Sequence, residues 1–547
     1  MTAELSTKLQ DATVTLNTQT MRTHRRFKDL ILFGMIILVL LGAYLRFSNL
    51  DGKAYWLDEA YTSLWISGYS REEMGDSIPD AQIVSFADLE KFHGGLEDRQ
   101  GILATVNRLA VDDTQHPPLY YGLSYIWTQV NGASVTSYRS LSALIGVLAL
   151  IATYFLGLQL FESQLHAAVL SSIVAVSPFH LVWSQEARQY SLWILAIILS
   201  SALFLKCLKC PDPRWPWVAY TLTLTLGLYT HAFMSLIVGV HIIYFLSAKH
   251  IRSNRKSLVS FTLCLLLAYL LFSPWAILLV QNGFDAAGWT AEPVARLAYF
   301  KSFVLNILRT FVDVGFELNA FFYFAGIITS AILVYSAVRL VQNLHKNSYL
   351  FIFYLCLVPI MPLLLADITM GGQRALISRY FVSSSIGLEL LVTAVITKNL
   401  RSRLSKLTMA CIIIFGLLSC HFFVQSDSWW NKYRFNDTLP IAQIINQQDN
   451  PLIITDGNVS PVSTLSISYD IAPTASLIRK PDQATLSKIL CSEYDTFALS
   501  VSKPLIRQLT DKGYEVSSEF MGQLKLWKVS CNPSQKAGES SGGISDQ

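Results

Sequence analysis

Along most of its length the chain alternates long apolar runs with short polar connections. A helix that crosses the roughly 30 Å hydrocarbon core of a bilayer needs about 20 predominantly apolar residues. Uncharged stretches of that order lie at residues 30–45, 140–161, 165–185, 189–205, 257–280, 318–338, 347–366 and 407–426, and another at 380–397 is interrupted only by Glu389. The uncharged run 215–248 is too long for one ordinary crossing and predicts a tight pair of helices broken at Tyr229-Thr230-His231. The pattern predicts about eleven spans. Residues 1–29 are polar and end in the basic group Arg22, Arg25, Arg26 and Lys28, so the first apolar run begins too late for a cleaved leader and reads as an anchor.

Composition agrees with this pattern. The 547 residues are 52% hydrophobic and 15% charged, against roughly 25% charged in ordinary soluble domains. A net charge of +4 is too small to imply a nucleic-acid partner. The placement of the cations says more. Clusters at residues 22–28, 206–214, 249–256, 339–346 and 398–406 should all face the cytoplasm, because lysine and arginine accumulate in short cytoplasmic loops. Eleven spans satisfy this with the N-terminus inside and everything after residue 426 outside. The apolar segment 119–130, behind His116-Pro117-Pro118, must then be a juxtamembrane or re-entrant helix on the outer face, since counting it as a span would reverse two basic loops. The mixed segment 295–311, with Arg296, Lys301 and Arg309, reads as interfacial for its charge.

The predicted organisation is a membrane domain at 30–426 with an outer loop at 47–139, an outer α/β domain at 427–531, and a Ser- and Gly-rich disordered tail at 532–547. The α/β reading rests on a helical stretch at 438–448 and strand-like runs at 452–455, 496–501 and 523–529. Of eight cysteines only Cys491 and Cys531 fall on the oxidising side, where pairing is open to them and sequence does not decide it. Cys207 and Cys210 lack the second half that a metal or redox motif needs.

Three polar motifs then fall on the outer face. Trp56-Leu57-Asp58-Glu59-Ala60-Tyr61 sets two carboxylates among aromatic residues. Acids in a first helical turn are common for electrostatic reasons alone, but a carboxylate there can also take a proton from an acceptor hydroxyl. Adjacent helical side chains point about 100° apart, so one acid, Asp58 by preference, acts as base while Glu59 assists or fixes the loop. Ser184-Gln185-Glu186-Ala187-Arg188-Gln189-Tyr190 offers Arg188 as a planar fork for phosphate and Glu186 for a sugar hydroxyl. His116, in Thr114-Gln115-His116-Pro117-Pro118-Leu119-Tyr120-Tyr121, is a donor to an anionic group or a structural histidine. His231, Arg374 and Arg379 reach the same side, where arginines run against the topological bias and fit a phosphate leaving group or an interface anchor.

The order of these motifs, with Arg139-Ser140-Leu141-Ser142-Ala143-Leu144, Ser177-Pro178-Phe179 and Ser378-Arg379-Tyr380-Phe381, resembles the bacterial family 39 type of glycosyltransferases in the GT-C superfamily, which are similar to protein O-mannosyltransferases and the lipid A aminoarabinose transferase. The resemblance runs from about residue 30 to 397. It implies an α-helical multi-pass fold of about 11 to 13 transmembrane helices with outer juxtamembrane helices and a small outer α/β domain, set in a bacterial cell membrane. It also implies a polyprenyl-phosphate-linked monosaccharide as donor, an outer-face site and inversion at the anomeric carbon. Asp58 matches the family's catalytic aspartate and Glu59 its acidic neighbour. His116 stands where some relatives carry a phosphate-binding lysine, and Glu186 and Arg188 match a second outer motif, beside which Tyr190 is expected to bind substrate. No cofactor is required, although some relatives use a divalent cation. The acceptor is a glycan, lipid or protein. Two other classes stay open: a transporter or flippase, which Glu389 within a span would suit, and a glycan polymerase or ligase.

Overall fold

The computed structural model describes residues 29–248, 254–282, 285–315, 319–400, 402–432, 436–490 and 494–531. The expected N-terminal basic group, Lys249 and Arg252, Cys491 and the expected tail lie outside the described residues.

Among the described residues eight helices are long and apolar enough to cross a membrane, and a ninth crossing is the bent pair Gln164–Ala175 and Pro178–Gln185, which meet at 61°. The predicted break in the run 215–248 separates helices Arg214–Leu228 and Met234–Ser247. Their 15 and 14 residues span only about 21–23 Å at 1.5 Å per residue, so they reach the length of a crossing only with the turns that flank them. Counting both gives the eleven of the sequence pattern. Leu119–Asn131 and Arg296–Leu308, with 13 residues each, are short helices rather than spans.

The bend in the third crossing exposes carbonyls to apolar surroundings, where an unpaired backbone group is costly. Arg46 supplies the donors: its guanidinium bonds Ala175 O at 3.1 Å and Val174 O at 3.2 Å. Ser177 then caps the next helix, with Pro178 in its first turn. Gly416 permits close approach here, since a Cβ on it would stand 2.5 Å or less from Val176 O.

One end of the bundle carries the ion pairs Lys209–Glu162 and Lys256–Asp212, so the basic loops after Tyr190–Lys209 and before Arg255–Asn282 share a face. At the opposite end sits a six-stranded sheet in the order β1-β3-β2-β4-β6-β5. Its strands are β1 (Ile83–Ser85), β2 (Pro451–Thr455), β3 (Ser476–Arg479), β4 (Asp495–Leu499), β5 (Glu515–Met521) and β6 (Lys525–Ser530). β2 pairs in parallel with β3 and β4, and the outer pairings are antiparallel. Every residue of β2 is buried, as a central strand covered on both faces requires. Ile453 joins the core continuous with the membrane helices, while Leu452 and Ile454 face the helices Gln483–Ile489 and Lys503–Asp511.

The sheet is not confined to 427–531. β1 comes from the first loop, with Ile83, Val84 and Ser85 opposite Ile478, Leu477 and Ser476, and it covers what would otherwise be an open strand edge. Three residues of alternating burial are too short to stand out in a sequence. Cys531 is disulfide-bonded.

His93, at the end of the 3-10 helix Phe86–His93, joins loop and sheet domain: it stacks on Tyr469 at 3.8 Å and meets Ser468 Oγ at 2.8 Å. Burial pushes its imidazole down to about 4. A histidine depressed in the folded state refuses protons that the unfolded chain accepts below about pH 6.5, so stability is full above that value and is lost as pH falls towards 4. The shift corresponds to at most about 3 kcal/mol, and to less here because part of the ring meets solvent. His93→Phe, which keeps the stack, should reduce the fall in thermal midpoint between pH 7 and pH 5; an unchanged fall would place the acid sensitivity elsewhere.

Candidate active site

The helix Leu57–Ser67 opens at Trp56, whose backbone is extended, and closes at Gly68, whose φ of 89° suits glycine. Its first turn carries both acids, and they diverge as adjacent helical positions must. Glu59 turns inward and is fully buried. Arg139 meets it with two nitrogens, Nε to Oε1 at 2.9 Å and Nη2 to Oε2 at 2.6 Å. Ala187 N donates to Oε1 at 2.8 Å, and Trp56 N to Oε2 at 3.3 Å. Arg139 also binds the carbonyls of Leu50, Lys53 and Ala54. Of the two parts expected of Glu59, assisting the base or fixing the loop, this geometry fits the second. Its oxygens are engaged inside the protein, and it fastens the loop after the first span to the turn at Ala187.

Asp58 turns the other way, into a cavity of about 430 Å³, a size suited to a small ligand. Arg379 Nη1 donates to Asp58 Oδ2 at 3.2 Å, and Arg379 lies over the rings of Trp289 and Tyr380. Arg188 is buried beside them and donates to Asp58 O at 3.0 Å and Thr62 Oγ1 at 3.3 Å. Its other terminal nitrogen stands 2.9 Å from His116 Nε2. The Nδ1 of the same ring lies 2.9 Å from Asp113 Oδ1. Burial alone would raise the Asp113 carboxyl, but His116, Arg188 and Gln115 outweigh it and hold the group well below the usual range. His116 thus stands at the cavity wall between Arg188 and Asp113.

The remaining wall includes Tyr190, His231, Arg374, Tyr61 and Arg71. His231 stacks on Trp193 at 4.3 Å and accepts from Phe233 N at 3.1 Å. Burial lowers its proton affinity well below that of a free imidazole, so this ring is neutral. Arg374 is held by Asp367 Oδ1 at 3.2 Å and Gly371 O at 2.7 Å. Asp367 fixes the same turn through the backbone nitrogens of Arg374 and Ala375.

Glu186 is the second expected site residue that the structure places elsewhere. It is fully buried behind the cavity wall, and its Oε2 meets Lys432 Nζ at 2.8 Å. Burial raises its carboxyl to about 7 against the pull of Lys432. Glu389, inside the span Ser378–Thr397, pairs with His180 at 2.9 Å and does not line the cavity. Among the described residues no group of three or more His, Cys, Asp or Glu side chains is placed to hold a metal ion.

Asp58, His116, Arg188, Tyr190, His231, Arg374 and Arg379 therefore share one cavity, while Glu59 and Glu186 stand behind its wall. Sequence reasoning overlooked Asp113, Arg71, Trp289 and Lys432. Asp113 could have been found from its spacing of three before His116. Trp289 and Lys432 carry no local signal.

Residues 115–278 match the family model described as dolichyl-phosphate-mannose-protein mannosyltransferase. No curated protein matches the chain. Among solved structures, ArnT from Cupriavidus metallidurans bound to undecaprenyl phosphate is 10% identical with a TM-score of 0.54, over 90% of this chain and 97% of that one. The same protein in the apo state gives 11% and 0.49, over 90% and 97%. The archaeal oligosaccharyltransferase AglB from Archaeoglobus fulgidus, in complex with an inhibitory peptide and a dolichol-phosphate, gives 10% and 0.46, over 92% and 74%. The chain has the GT-C-type fold, a multi-pass helical membrane domain with a small α/β domain, and the resemblance drawn from its ordered motifs is borne out.

Proposed function

We propose that this GT-C-type membrane protein is an inverting glycosyltransferase that moves one monosaccharide from a polyprenyl-phosphate carrier to a glycan, lipid or protein acceptor on the outer face of the membrane. The observation that carries the proposal is a carboxylate, Asp58, held at 3.2 Å by Arg379 in a cavity that Arg188 and Arg374 also line. A base beside fixed cations is what displacement of a phosphate from an anomeric carbon needs. Asp58 takes the proton of the acceptor hydroxyl or amine as its oxygen or nitrogen bonds to that carbon, and the bond from the carbon to phosphate oxygen breaks with its electrons. The arginines then neutralise the departing polyprenyl phosphate. With the arginines in that role, a divalent cation is dispensable.

The ring of His116 keeps Arg188 aimed, and Tyr190 and His231 shape the wall on which the sugar rests. The basic loops at the far end of the bundle support an extracytoplasmic site. Transport is disfavoured because Glu389 is sequestered with His180, away from the cavity.

A deletion strain should accumulate a polyprenyl-phosphate monosaccharide and lose one sugar from a lipid, glycan or protein. The wild-type gene should restore both, whereas Arg379→Leu should restore less than a tenth of the modification. Accumulation of a longer lipid-linked glycan would make the enzyme a polymerase or ligase, and an unchanged lipid and glycan profile would overturn the proposal.

A further inference from the structure

Just after the last span helix, Arg403–Gln425, the chain drives a short segment back against the site. Trp429 Nε1 donates to Ala54 O at 2.9 Å, and its ring lies 5.0 Å from the guanidinium of Arg139. Three residues on, Lys432 is 6% exposed, with its ammonium 3.9 Å from the ring centre of Trp56 and 4.6 Å from that of Trp183. Its Nζ is 2.8 Å from Glu186 Oε2.

These contacts have a common property. Trp56 immediately precedes the helix that carries Asp58 and lies two residues before it; Glu186 lies two residues before Arg188, and Trp183 belongs to the helix leading into that turn. One ammonium therefore touches both loops that supply the cavity's carboxylate and its buried guanidinium. Among the described residues Lys432 is the polar partner of the Glu186 side chain, whose Oε1 is buried with none. Burying an ammonium is costly, and an apolar side chain would fill the space between two indoles at lower cost. What an apolar side chain lacks is a fixed direction: the ammonium must satisfy two ring faces and a carboxylate at once, which sets the two loops in one register.

We propose that Lys432 is a positioning residue for sugar transfer, locking the Asp58 and Arg188 loops together from the C-terminal side of the last span. The site is then assembled by the chain beyond the membrane domain, not by the spans alone. This rests on the transferase reading above. Lys432 acts through Asp58 and Arg188 and touches no substrate.

The test uses the full chain in the deletion strain and purified in detergent, with undecaprenyl phosphate as the binding probe. Lys432→Met strands Glu186 and will also perturb folding, so the deciding variant is Lys432→Met with Glu186→Gln, which removes both charges together. That double variant should keep the wild-type thermal midpoint and bind undecaprenyl phosphate within threefold of wild type, yet transfer sugar at least tenfold more slowly. Lys432→Arg should recover to within about threefold of wild type. Transfer at the wild-type rate by the double variant would overturn the proposal, since the pair would then only balance charge. Equal loss of binding and transfer would overturn it too, as general disruption of the cavity. Asp58→Asn in the same assay separates the premises: full transfer by that variant would refute the base assignment and leave the Lys432 comparison readable against wild type.

Discussion

Asp58→Asn is expected to lower sugar transfer by about 10²- to 10⁴-fold, the range that a positioned general base contributes. The substitution keeps the size of the side chain and an oxygen for Arg379, which now meets Asp58 Oδ2 at 3.2 Å. Folding should therefore be unaffected, and undecaprenyl phosphate should bind at least as well, because a negative charge leaves a cavity that must hold an anion. Transfer in the complemented deletion strain and phosphate-lipid binding by the purified protein check the two halves. Full transfer with normal folding would show that another group takes the proton.

Glu59→Gln is expected to act in the opposite way, on stability first. The Glu59–Arg139 pair is 1% exposed or less on both sides, and breaking one partner of such a pair typically costs about 3–5 kcal/mol. The thermal midpoint and the yield of folded protein should both fall. Replacing both partners by apolar residues often restores stability elsewhere, but it should not here, because Arg139 also satisfies the carbonyls of Leu50, Lys53 and Ala54. A Glu59→Gln variant that melts like wild type but transfers slowly would return Glu59 to the chemistry.

The contrast between these neighbours shows where sequence reading stopped. Both acids stand in the first turn of one helix, and nothing in Trp56-Leu57-Asp58-Glu59-Ala60-Tyr61 says which faces inward. The 100° between them guaranteed different fates, but the direction of each depended on Arg139, eighty positions away. Glu186 and Arg188 repeat the lesson. They alternate across a turn in which Arg188 N bonds Glu186 O at 2.7 Å, so one enters the cavity and the other meets Lys432. That lysine follows the last span, and no local pattern around it marks an ion pair 246 residues away. His116 was legible as a site residue, but its seat against Arg188, 72 residues away, was not.

By itself the sequence determined the membrane class, the break at Tyr229-Thr230-His231, the demotion of residues 119–130 from span to short helix, and the gathering of Asp58, Arg188 and Arg379 at one end of the bundle. Hydrophobic length and the distribution of cations are one-dimensional properties, and the bilayer reads them nearly segment by segment. The tertiary structure alone decided that Glu59 and Glu186 are buried in ion pairs and do not line the cavity, that β1 joins a sheet built almost four hundred residues later, and that Lys432 touches both loops of the site. Each of those depends on which partner a side chain meets across the fold, and a buried charge or an open strand edge takes its meaning only from that partner.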